Sequence, residues 1–91
     1  MKYQIEVTSR FKKDYKLAQK RGCDMSQLEK VVEILAAGEA LPEKYLDHPL
    51  IGDYKGYREC HLRPDWLLIY KIQDDILVLT LTRTGTHSDL F

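Results

Sequence analysis

Trp66-Leu67-Leu68-Ile69-Tyr70-Lys71-Ile72 is the stretch on which the fold turns, since every residue in it except Lys71 is apolar. Such a run suits a β-strand covered on both faces. Just before it, Arg63-Pro64-Asp65 breaks the pattern, because proline cannot donate to a ladder and marks an edge, bulge or turn. Ahead of that break, Tyr54 to Leu62 reads as a strand. Its odd positions, Lys55, Tyr57, Glu59 and His61, make one face wholly polar or amphipathic. Beyond the apolar run, Asp74-Asp75 is a turn candidate and Ile76 to Arg83 the last strand.

Upstream, Lys2 to Val7 alternates polar and apolar, with Tyr3, Ile5 and Val7 on one side, and reads as the first strand. Thr8 or Ser9 caps a helix that runs to about Arg21 and stops at Gly22, with Phe11, Tyr15 and Ala18 as its apolar stripe. A second helix starts near Asp24 or Ser26, buries Leu28, Val31, Val32 and Leu35, and ends at Gly38. Glu39 to Asp53, with Pro42, Pro49 and Gly52, has no sustained period and reads as a surface loop. The order β-α-α-β-β-β, with hairpin-length links between the last strands, predicts an α+β fold. Two N-terminal helices pack on one face of an antiparallel sheet.

At 91 residues, 44% hydrophobic and 31% charged, the chain has room for one small globular domain, 1–91. No apolar run approaches the ~20 residues a membrane span needs. The N-terminus lacks the apolar region of a signal peptide, and Cys23 and Cys60 form neither a metal-ligand pair nor a disulfide framework. A reducing, cytoplasmic setting is the expectation.

The formal net charge is zero, which at first weighs against nucleic acid. The charge is uneven, however. Arg10 to Arg21 holds six basic residues and one acid, while Asp24 to Asp47 holds six acids and two lysines. Lys12, Lys16 and Lys20 recur at i+4, where like charges cost a helix roughly 0.2–0.5 kcal/mol per pair. Lys12 and Lys16 therefore read either as a solvated face whose stems cover apolar surface or as a stripe facing phosphates.

Candidate chemistry gathers around His48, His61 and His87, with Asp65 and Arg83 nearby in sequence. Histidine exchanges protons near neutrality, and a cation beside such a group stabilises a developing phosphorane. The separations of 13 and 26 residues between the histidines match no short metal-ligand motif. Arg83 is open to three readings: a strand-end cap, a partner for an acid, or a phosphate holder. No Gly-rich phosphate loop, G-x-S-x-G or paired-cysteine motif is present. A metal-free, cofactor-free acid–base site beside a cation is what these residues permit.

Specific resemblance begins with Tyr45-Leu46-Asp47-His48-Pro49-Leu50, Gly52 and Tyr54-Lys55-Gly56-Tyr57-Arg58-Glu59. It continues through His61-Leu62-Arg63-Pro64-Asp65-Trp66-Leu67-Leu68-Ile69-Tyr70 and Arg83-Thr84-Gly85-Thr86-His87-Ser88-Asp89-Leu90-Phe91. With Lys16-Leu17-Ala18-Gln19-Lys20-Arg21, these segments make the chain similar to the YafQ-type branch of the RelE superfamily over nearly its whole length.

That resemblance implies the toxin half of a type II toxin–antitoxin pair, a bacterial endoribonuclease that cuts mRNA in the ribosomal A site. It places the catalytic set on His48, His61, Asp65 and His87, and a substrate contact on Phe91. His48 and His87 would perform the proton transfers, with His61 and Asp65 completing and orienting the site. Trp66 lies in the matching motif and reads equally as a core residue. Arg83 is the candidate for the scissile phosphate. The chain ends at Phe91, so any role of residues beyond that point in relatives is expected to be missing. Implied partners are a cognate antitoxin, the ribosome and mRNA, with operator DNA reached only through the antitoxin. The alternative is a catalytically inactive homologue that only binds an antitoxin.

Overall fold

The computed structural model describes residues 1–91. Its strands are β1 (Gln4–Val7), β2 (His48–Pro49), β3 (Arg58–Arg63), β4 (Trp66–Gln73) and β5 (Val78–Gly85). The helices are α1 (Ser9–Lys20), α2 (Met25–Ala36) and the four-residue α3 (His87–Leu90). The strands form one sheet in the order β1-β5-β4-β3-β2. The α+β architecture with two N-terminal helices is as predicted. The strand read from Tyr54 begins only at Arg58, after a 3-10 turn at Gly52–Tyr54, and the one read from Ile76 begins at Val78. The topology differs as well. β1 pairs with β5 in parallel, whereas an antiparallel sheet was expected throughout. A two-residue strand, β2, emerges from the stretch read as loop, and α3 follows the last strand.

Local chemistry explains the helix limits. Thr8 caps α1, its side chain accepting from the Phe11 N–H, and Asp24 caps α2 by accepting from the Ser26 N–H. Gly22 ends α1 with a φ of +78°, a left-handed conformation that costs glycine little.

The central strand separates two apolar layers. Leu68 and Tyr70 join Cys60, Leu62, Leu79 and Leu81 against Phe11, Ala18, Leu28, Val31 and Leu35 of the two helices. On the opposite face, Leu67 and Ile69 are covered by Leu90 of α3, with Leu50, Tyr54 and Tyr57 packed around them. Thus β4 is buried on both sides, first by two long helices and then by loops and one helical turn. A bulge shapes the second face. The register shifts so that Ile69 opposes Arg83 while the next residue, Tyr70, opposes Leu81, leaving Thr82 as the extra residue. Arg83 is thereby turned to the face opposite Leu81, although the two lie at i and i+2.

Candidate active site

Strand register assembles this site before any side-chain detail is considered. His48 opposes Glu59, Glu59 opposes Ile69, and Ile69 opposes Arg83, so one row across four strands reads His48, Glu59, Ile69, Arg83. The adjacent row reads His61, Leu67, Gly85. Residues opposed in this way share a face. His87 opens α3 just past Gly85, and Asp65 sits in the turn between β3 and β4. The three histidines therefore converge on the face away from α1 and α2.

His61 stands between the other two. Its ring centroid is 6.2 Å from that of His48 and 5.8 Å from that of His87. His48 is anchored locally: its Nδ1 lies 2.7 Å from the carbonyl oxygen of Leu46, which can only accept, so Nδ1 carries a proton. Leu46 adopts a left-handed φ of +51°, which helps turn that carbonyl toward the ring. His87 is anchored at long range. Its ring Nδ1 lies 2.7 Å from Asp65 Oδ1, and its backbone N–H donates to the same oxygen at 3.0 Å. The His87 N–H, then the ring, hold the Asp65 carboxyl below the usual carboxylate range. Both outer histidines thus have Nδ1 engaged; Nε2 of His87 is left to meet a substrate, while that of His48 faces Glu59.

Glu59 is the residue the sequence reading overlooked. It is 5% exposed, with Oε1 3.4 Å from His48 Nε2 and 3.8 Å from His61 Nε2. Its other oxygen is buried without a hydrogen-bond partner. The His48 and His61 imidazoles are the polar groups within its reach. The available signal was its i, i+2 spacing to His61 on a polar strand face. His48, Glu59 and His61 also offer ligand atoms within 4.8 Å of one another, a nitrogen–oxygen set that fits a divalent transition metal.

Of the expected substrate contacts, Trp66, Lys12 and Lys16 lie away from the histidines, whereas Arg83 reaches their face. Trp66 is 6% exposed and belongs to the helix-side core, so its ring cannot stack on a base. Lys12 and Lys16 border a groove with Val7, Phe11, Tyr15 and Gln19. The opposite flank of α1, with Asp14, Leu17 and Arg21, is the one that approaches Asp65. The lysine stripe therefore lies away from the histidines, as a rotation of about 100° per helical residue dictates. Arg83 reaches the histidine face but is paired with an acid: Nε and Nη2 donate to Asp14 at 2.7 and 3.2 Å. Asp14 also accepts from the Thr84 N–H, capping the part of β5 that β1 does not cover. Bonding to Asp14, and secondarily to Tyr54, holds the Arg83 guanidinium firmly charged. Only its Nη1 remains outside the pair with Asp14.

Phe91 is 65% exposed, and its ring meets Tyr54 edge-on at 5.8 Å. Tyr54 in turn meets Tyr57 at 6.0 Å, extending an aromatic margin along the site.

The chain is similar to known proteins over nearly its whole length. Residues 3–91 match the family described as the bacterial toxin of type II toxin–antitoxin system, YafQ. The chain is 49% identical over 88 residues to the mRNA interferase toxin YafQ of Escherichia coli K12, covering 96% of this chain and 94% of that protein. It superimposes on YafQ in the E. coli DinJ–YafQ complex with a TM-score of 0.90, at 48% identity and 98% coverage of both chains. A metal-bound toxin from Helicobacter pylori gives a TM-score of 0.92 at 48% identity, covering 98% of this chain and 99% of that one. The chain belongs to the YafQ family of bacterial type II toxin–antitoxin toxins.

Proposed function

We propose that this chain is an endoribonuclease that cleaves mRNA in the ribosomal A site by metal-free acid–base catalysis and so arrests translation. The observation that carries this reading is the convergence of three histidines, each outer one fixed through Nδ1, on one sheet face. RNA cleavage needs a base for the ribose 2′-OH, an acid for the departing 5′-oxygen and positive charge near the phosphorane. His48 and His87 supply the two proton transfers through Nε2. Asp65 holds His87 in orientation, His61 lies beneath the phosphate between them, and Arg83 offers its remaining donors. Phe91, braced by Tyr54, stacks on a base, a contact worth about 1–3 kcal/mol. Family membership and the E. coli relative named as an mRNA interferase support the same reading.

Zero net charge supports dependence on the ribosome, which would present mRNA that the protein does not itself draw from solution. The partner that silences the toxin is an antitoxin, as in the E. coli DinJ–YafQ complex. Its dock is the groove where Val7, Phe11, Tyr15, Leu28, Val32 and Leu81 line an apolar floor. Lys12 and Lys16 lie along one side of that floor, Glu29 and Glu33 along the other.

A second reading comes from the His48–Glu59–His61 cluster and the metal-bound H. pylori relative: a cation held there would supply the positive charge at the phosphate in place of imidazole proton transfer. Cleavage of ribosome-bound mRNA with and without EDTA separates the two. The metal-free reading expects undiminished cutting, leaving 2′,3′-cyclic phosphate or 3′-phosphate and 5′-hydroxyl ends. Loss of cutting in EDTA, restored by added metal, would overturn it.

A further inference from the structure

α3, the helical turn that begins at His87, is four residues long, too short to hold its own shape. Its hydrogen bonds show what holds it. The Thr86 N–H donates to Asp89 Oδ2 at 3.0 Å, and the Asp89 N–H donates to Thr86 Oγ1 at 3.1 Å, a reciprocal capping box. Asp89 is then tied to α1 across 68 residues of sequence. Arg21, at the C-cap of α1, donates from Nη1 to Asp89 Oδ2 at 2.6 Å and from Nη2 to Oδ1 at 3.3 Å. Gly85 lets the carboxylate approach, since a Cβ there would lie 2.9 Å from Asp89 Cβ and Oδ2. Bidentate geometry of this kind fixes direction as well as distance.

We propose that Arg21 is a positioning residue of the active site, acting through Asp89 to hold the turn that carries His87 and Phe91. The proposal rests on the reading of His87 as a proton-transfer group. Asp65 holds the His87 ring and N–H from the β3–β4 turn, and Arg21 holds the Asp89 end of the same turn from α1. Each constraint removes motion that the other leaves. Without Arg21 the capping box and the packing of Leu90 remain, but the Asp89 end of the turn loses its tie to α1 and the His87 ring gains freedom. Small misplacement of a reacting group costs up to about a hundredfold in rate.

Two readouts test this on the intact chain. One is single-turnover cleavage of ribosome-bound mRNA; the other is the imidazole N–H resonance of His87, which reports its bond to Asp65. Arg21→Met and Asp89→Asn are each expected to slow cleavage about tenfold. Both are expected to broaden or erase the resonance while leaving ribosome binding unchanged. Asp89→Asn keeps a side-chain oxygen for the Thr86 N–H, so it removes the ion pair and spares the cap. Arg21→Lys, which keeps a charged donor for the Asp89 carboxylate and leaves the cap intact, is expected to recover part of the resonance and of the rate.

An Arg21→Met protein with parental rate and resonance would overturn the proposal. So would one that cleaves slowly with an intact resonance, because Arg21 would then be touching RNA directly. If the parent cleaves no RNA yet Arg21→Met still erases the resonance, the latch stands and the ribonuclease reading falls.

Discussion

Cys60 and His61 are neighbours on β3, yet they belong to different environments. Cys60 is fully buried among Leu62, Leu68 and the two long helices, where burial pushes its thiol pKa up to about 12. His61 faces His48, Glu59 and His87, on a surface that only loops and one short turn adjoin. The alternation of a strand puts the core on one side and the histidine cluster on the other. The helix side gains stability from dense apolar contact. The histidine side keeps imidazole nitrogens, a buried carboxylate and an exposed aromatic ring within reach of a substrate. A fold this small therefore places its least apolar groups where they contribute least to its core.

The sharpest way to break this comparison is to remove one group from each face. His87→Ala is expected to slow mRNA cleavage by about 10²–10⁴-fold with little change in unfolding free energy. Parental cleavage by that variant would remove His87 from the chemistry. Leu68→Ala on the helix side is expected to cost about 2–5 kcal/mol in denaturant unfolding, since it opens a cavity between sheet and helices. A loss below 1 kcal/mol there would mean the core tolerates collapse at its centre.

Glu59→Gln sharpens the boundary between the faces. It keeps the shape but removes the negative charge beside His48 and His61, so a cleavage rate several-fold lower and an altered pH profile are expected. If rate and profile were unchanged, Glu59 would be only packing.

Acid and alkali should weaken opposite faces. Asp89, held low chiefly by Arg21, and Asp65, held low chiefly by the His87 N–H, have folded pKa values below their unfolded ones. Their contribution to stability is present at neutral pH and is lost as pH falls below about 4. Cys60 and Tyr70 are raised, mainly by burial, so their contribution is full below about pH 8.5 and is lost as pH rises toward 12. Unfolding midpoints across pH should therefore show two losses. Asp89→Asn should remove part of the acid one and Cys60→Ala part of the alkaline one.

The smallest effect belongs to the stripe on α1. Replacing Lys12 and Lys16 by serine should change cleavage less than twofold, because both lie on the flank away from the histidines. A strong loss would mean that the ribosome or mRNA also touches this helix.

Much of this was legible in the chain. The apolar run from Trp66 fixed the central strand, Thr8, Asp24, Gly22 and Gly38 marked the helix limits, and the polar alternation through Glu59 and His61 marked the chemical face. What escaped depends on long-range geometry. The parallel pairing of Gln4 with Val78 is set by how two helices return the chain, which no local pattern encodes. His48-Pro49 is too short for a period, and Trp66 could be placed in the core only once its strand had neighbours. The bulge at Thr82 decided the face of Arg83, and Asp14 decided its partner. One signal was available and unread: Thr86-His87-Ser88-Asp89 has the spacing of a capping box, which would have revealed α3.

The central claim is that two imidazoles on one face exchange protons with RNA, and the rate of mRNA cleavage on the ribosome as a function of pH tests it most directly. The expected profile is a bell with an acid and an alkaline limb, one of which disappears in His87→Ala. A parent profile flat from pH 5 to 9 would contradict it.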